Sequence, residues 1–160
     1  MAIGFGFIVG GLNTVLKIPT YYPVFQREIS NHMYSVHAYY LAFTTQCFLC
    51  GWLYPFFSTI SSFYFLKLEA DSFTDMLFYM SSLLGITYVA MFEGFMIGCI
   101  IHEETRAYLF FWLSLMIFNF GAGFFANTGS QASWFVNGIS FISPMHYATE
   151  VSLRIVTDGR

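Results

Sequence analysis

The chain has 160 residues, of which 57% are hydrophobic, 22% aromatic and only 9% charged, with a formal net charge of -3; its mean hydropathy is +0.62. A soluble domain carries about 25% charged residues to wet its surface, so this composition excludes a water-covered globule and indicates an integral membrane protein. Its six Lys and Arg residues are scattered singly, which excludes the basic footprint of a nucleic-acid partner.

Residues 2–16 form an apolar block with no basic segment before it, so it does not read as a cleavable signal peptide. The block is shorter than the roughly 20 residues of a complete crossing and reads as the second half of a span. Gly6 and Gly10 stand four apart, the spacing of close helix contacts. Gly4, Gly6 and Gly10 do not have the spacing of a dinucleotide loop, and no strand precedes them. Lys17, Pro19 and Pro23 are expected to break the helix.

Residues 23–42 are the one sizeable amphipathic stretch. Phe25, Ile29, Met33, Val36 and Tyr40 recur at helical spacing, while Gln26, Arg27, Asn31 and His32 fall off that face. The pattern predicts a helix over 23–38 lying on the membrane surface and feeding into a span over 39–65, which carries no formal charge. Pro55 should kink that span. A polar turn follows, with Lys67, Glu69 and Asp71. The next span is expected over 76–101, interrupted by Glu93. His102, Glu103, Glu104 and Arg106 then mark a second polar turn, and a third, strongly aromatic span occupies 108–126. Beyond Asn127 the chain turns polar, and the apolar run starting at Trp134 is too short to cross before Ser143-Pro144 stops it. It reads as a re-entrant or interfacial segment, tolerated where protein buries it. The fold expected is all-α, a polytopic membrane helix bundle. Counting positive charges leaves orientation tied, with Lys17, Arg27 and Arg106 on one side and Lys67, Arg154 and Arg160 on the other.

Glu93 is the most informative residue. A carboxylate inside a span is costly, and serves either a functional pathway or an interhelical hydrogen bond. Gln46 and Asn119 read as interhelical hydrogen-bond partners. Cys47-Phe-Leu-Cys50 has the spacing of half a metal site but no second pair, and the three cysteines make no secreted disulfide framework. No asparagine lies in a glycosylation sequon. His102-Glu-Glu-Thr-Arg106 lacks the second histidine of a zinc motif. With no phosphate-binding G-x-x-x-x-G-K-[ST] loop, the chain is not an ATPase by that route. Phe110, Phe111, Phe118, Phe124 and Phe125 read first as packing and lipid-facing residues.

Four motifs in order carry a family resemblance. Pro23-Val-Phe-Gln-Arg27-Glu28, with Met33-Tyr-Ser and Ala38-Tyr-Tyr-Leu-Ala42, resembles the segment after the second span of ABCG transporters of the White/pleiotropic-drug-resistance type. Ala90-Met-Phe-Glu93-Gly, Gly123-Phe-Phe, and Trp134 with Phe141-Ile-Ser143 and Tyr147-Ala-Thr-Glu150 resemble later motifs of the same ABC-2 type membrane domain. The resemblance implies that Arg27 and Glu28 lie in a cytosolic coupling helix meeting a nucleotide-binding domain, with His102, Glu103 and Arg106 as a smaller second contact. It implies a polar network of Glu93, Gln46 and Asn119, an exit plug of Phe124 and Phe125, and a substrate cavity along Trp112, Leu115, Met116 and Asn119. Residues 127–150 would be the external re-entrant region.

Some positions depart from the family pattern: Tyr21-Tyr22 stand where Glu-Arg is usual, and His146 where arginine is frequent. The implied nucleotide-binding domain, with its ATP and Mg, falls outside this chain, as do the first and last spans, so the chain reads as part of a larger transporter. The function implied is ATP-driven export of lipid, sterol or other hydrophobic or amphipathic substrates. Its partners would be that nucleotide-binding domain, a second half-transporter and membrane lipids. The alternatives are a small membrane scaffold or assembly protein, and an oligomeric channel or carrier using Glu93.

Overall fold

The structure, a computed structural model, describes residues 2–65, 73–123 and 134–158. Among them every regular element is a helix: α1 (Ala2–Ser30), α2 (Val36–Gly51), α3 (Leu53–Phe65), α4 (Phe73–Ile100), α5 (Glu104–Gly121), α6 (Trp134–Ile142) and α7 (Pro144–Asp158). The expected all-α membrane architecture is what the chain adopts. Two helices, α1 and α4, are long and apolar enough to cross a membrane.

The bundle is built on the parallel pair α1 and α4. Gly10 lies under the Thr87 backbone, Gly94 under the Gly11 carbonyl, and Gly98 against Ile18. A Cβ added at Gly10 would sit 2.6 Å from the Thr87 carbonyl oxygen, and one at Gly94 would sit 2.6 Å from that of Gly11. Two backbones this close need glycine on both sides, because lipid supplies little hydrophobic drive and association rests on van der Waals contact. α5 runs antiparallel in the groove beside them. Its Phe111 packs on Gly11 and stacks on Phe7 with ring centroids 5.8 Å apart, while Phe118 meets the edge of the same Phe7 ring. Phe7, Val15, Leu83, Ala90, Ala107 and Phe111 are fully buried in this core.

α2 and α3 descend antiparallel to α4 through the pairs Phe43–Phe95, Phe48–Tyr88 and Ser62–Tyr79. The single kinked span expected over 39–65 is two helices, broken at Trp52. Pro55 lacks a donor for the Gly51 carbonyl and its ring crowds that carbonyl, so α2 ends at Gly51, four residues before the proline.

α1 corrects the expected break at Lys17–Pro23: it continues unbroken through Pro19 and Pro23. The prolines free the carbonyls of Val15 and Pro19, yet contacts on both sides keep the helix in line. Ile18 is clamped on Gly98, Thr20 donates to the carboxylate of Glu104, and Tyr22 packs on His102. Membrane helices tolerate proline where neighbours hold the segment. The amphipathic helix expected over 23–38 is also two pieces. α1 stops at Ser30, His32 takes a left-handed conformation with φ 55, and Ser35 caps α2 by accepting from the Ala38 N–H.

At the opposite end α6, nine residues long, packs along α5, with Ile139 and Ser143 against Gly121. α7 begins there, the Ser143 hydroxyl donating to the Phe118 carbonyl, and reaches Ser82 of α4 through Ser152, 3.2 Å away. Both contacts lie toward the end where α4 begins and α5 finishes, so α7 lies against that end of the bundle.

Candidate functional site

Three places collect the chemistry that the sequence singles out. The first is the end of the bundle where α1 finishes, α2 begins, and α4 passes into α5. Helix exit is fixed by backbone bonds: the Asn31 N–H donates to the Arg27 carbonyl, that of His32 to Ile29 and that of Met33 to Glu28. These satisfy carbonyls that a helix end leaves open. The turn they form is closed by the Tyr34 hydroxyl, which donates to the Glu28 carboxylate at 2.6 Å. That hydrogen bond, more than any burial, pushes the Tyr34 hydroxyl up to about 12. Arg27 is left exposed.

The joint between α4 and α5 sits beside it. The Tyr22 and His102 rings meet edge to face at 4.0 Å, and Thr20 donates to Glu104 at 2.9 Å. Arg106 pairs with Glu103 at 2.7 Å on the surface. The two stretches expected to make separate contacts with a partner, Arg27–Glu28 and His102–Arg106, are thus neighbours on one polar end. Of the residues that bind them together, Glu104 is read from the sequence only as part of a polar turn and Tyr22 only as a departure from the family pattern, and Thr20 is not singled out at all. A hydroxyl or ring in α1 acquires meaning only once the joint is packed against it.

Glu93 is the second place. It faces a groove of about 840 Å³ between α4 and α5, walled by Ile97, Ile101 and Phe110 and opening toward His102 and Arg106. Its Oε2 is buried with no hydrogen-bond donor among the described residues. No contact joins Glu93 to Gln46 or Asn119 among the described residues. Gln46 lies in a different groove, between α1 and α2, and the Asn119 amide donates to the Leu115 carbonyl one turn back on its own helix. Helical rotation separates them: spans without charge do not reveal which face each polar residue takes.

The third place is the far half of α5. Leu115 does not line a cavity; at 2% exposure it is part of the core with Phe7 and Phe111. Trp112 packs against that core with its Nε1 buried and unpartnered among the described residues, while Met116 is exposed. Phe124 and Phe125 lie outside the described residues, as do residues 127–133 of the expected external region. Cys47, Cys50 and Cys99 are free thiols, and no group of three or more metal-ligating side chains occurs among the described residues.

A comparison with protein families matches residues 1–156, nearly the whole chain, to the ABC-2 type transporter family. The chain belongs to that family. No curated protein matches it. An ABC-2 membrane domain is the translocation part of a transporter, and such domains work with nucleotide-binding domains. The two apolar helices at the centre of the bundle fit a membrane component of that kind.

Proposed function

We propose that this ABC-2 domain is the membrane part of an ATP-driven, ABCG-type exporter for lipid, sterol or other hydrophobic and amphipathic substrates. The observation that carries the reading is the shared polar end. Arg27 and Glu28 sit on a turn whose carboxylate is tied by Tyr34, and the α4–α5 joint is fastened to the same helix by Thr20 and Tyr22. A nucleotide-binding domain closing on this end would push α1, α4 and α5 as one unit, because α1 is continuous from the turn into the glycine-packed core. ATP and Mg would be held by that domain. In this reading the polar end faces the cytosol, the chain makes several passes, and Phe124 and Phe125 form the barrier between the substrate path and the external exit. A second half-transporter completes the path.

The test is coupling in liposomes containing the complete transporter to which this chain belongs. Arg27→Ala and Glu28→Ala should leave ATP hydrolysis running while export per ATP falls at least roughly fivefold, the low end of coupling free energies between sites. Unchanged export per ATP in both variants would remove the coupling role.

A further inference from the structure

The groove between α1 and α2 holds a charge, Lys17, that the transport reading does not use. It has a volume of about 280 Å³, and its lining includes Lys17, Glu28, Tyr34, Tyr39, Phe43 and Gln46. Lys17 is a cation inside α1, a helix long and apolar enough to span a membrane, ten residues before the Arg27 of its last turn. It forms no ion pair or hydrogen bond with any described residue, and neither does Gln46. A charged side chain in a span marks a pathway or a binding site by default, because leaving it unpaired in hydrocarbon is expensive.

The order of these groups along the membrane normal is informative. Lys17 is eleven residues before Glu28, about 16 Å deeper along α1. Phe25 and Tyr39 touch with ring centroids 4.4 Å apart, which sets the level of α2 against α1. From that contact Gln46 and Lys17 each lie about 10–12 Å deeper along their helices, so they face each other across the groove. A carboxylate and aromatic rings therefore stand at the surface, and an ammonium and an amide stand below. The Tyr34 and Tyr39 rings, stacked at 6.2 Å, add faces that attract a cation. The flexible stem of Lys17 lets its ammonium rise toward the surface, shortening the gap to Glu28.

The geometry points to a site for the headgroup of one zwitterionic, amine-bearing phospholipid. Its ammonium meets Glu28 and the tyrosine rings, its phosphate meets Lys17, and its ester carbonyls meet the Gln46 amide, while the acyl chains leave along Phe43 into the bilayer. Charge complementarity selects this occupant. An anionic lipid would set its charge against the Glu28 carboxylate, which Tyr34 satisfies with one hydrogen bond but does not neutralise, and a free phosphate would leave Glu28 and the rings unused. Occupancy would tie the turn after α1 to the start of α2. This inference requires only that the chain lies in a bilayer, and does not depend on export or on ATP.

The experiment is native mass spectrometry of the full chain, purified in detergent and titrated with dioleoyl phosphatidylethanolamine or dioleoyl phosphatidylglycerol. Retention of the ethanolamine lipid should exceed that of the glycerol lipid and fall roughly tenfold in Lys17→Gln, the size of one lost charge-assisted hydrogen bond. Lys17→Arg should retain the lipid, which separates loss of charge from loss of fold, and circular dichroism checks each variant. Equal retention of the two lipids, unchanged retention in Lys17→Gln, or displacement of the lipid by millimolar inorganic phosphate would each overturn the proposal. A failed coupling experiment on Arg27 and Glu28 would leave these lipid measurements untouched.

Discussion

Tyr34 shows how much of the polar end depends on one hydroxyl. Its bond to Glu28 closes the turn between α1 and α2, next to a histidine held at φ 55, where a side chain is strained. Because the Tyr34 pKa is raised from 10.0 to about 12, the folded turn holds the proton more tightly than the unfolded chain. Its contribution is therefore fully present below pH 10 and is lost as the pH climbs through about 12. The interaction is constant over the physiological range, which makes it a fastener and not a pH switch. Tyr34→Phe keeps the ring stacking but removes the donor. Hydrogen exchange of the amides over 28–35 should then quicken several-fold while exchange in α4 stays unchanged. Identical exchange over 28–35 would show that backbone bonds alone fix the turn. In the sequence a family motif singles out Glu28 but not its partner, because a tyrosine six residues on has no helical relation to it.

At the scale of the element, the α1–α4 contact decides whether the bundle forms. Gly6 and Gly10 were legible as a packing pair from their spacing. Gly94 and Gly98 carry the same spacing in α4, and it is their contact with Gly11 and Ile18 that identifies the face. The α4 span itself was legible to within a few residues at each end, since its apolar run is long and bounded by charge. The prolines of α1 do not break it as local propensity predicts, because packing on both sides holds the helix straight. Two glycine variants in α4 separate packing from propensity. Gly94→Ala places a Cβ 2.6 Å from the Gly11 carbonyl oxygen, a backbone atom that cannot step aside, whereas Gly85→Ala meets nothing within 4 Å. Overpacking costs about 1–3 kcal/mol, so Gly94→Ala should lower the melting temperature in detergent. Gly85→Ala should leave it unchanged or raise it slightly, since alanine favours helix over glycine by about 1 kcal/mol. Equal behaviour of the two variants would refute a backbone-to-backbone contact at Gly94.

For the whole molecule, the arrangement of α6 and α7 distinguishes a bundle closed at one end from one with a further crossing. α6 has nine residues and α7 fifteen, each below the roughly 20 needed to cross. The break between them falls at Ser143, just before Pro144, where the missing N–H costs nothing at the first position of a new helix. Ser143 is held on α5 and Ser152 on α4, both toward the end opposite the joint that carries Arg106. Arg154 and Arg106 should therefore lie on opposite sides of the membrane. Each is exposed and forms an ion pair at the surface, Arg154 with Glu150 and Arg106 with Glu103, a kind of pair worth at most about 1 kcal/mol. Cysteine at either position should be tolerated once Cys47, Cys50 and Cys99 are replaced by serine. In sealed, right-side-out vesicles an impermeant maleimide should label Arg154→Cys at once and Arg106→Cys only after permeabilisation. Labelling of both from the same side would mean that the chain crosses once more between α5 and the end of α7. The polar end would then no longer be set apart from α7 by the thickness of the bilayer.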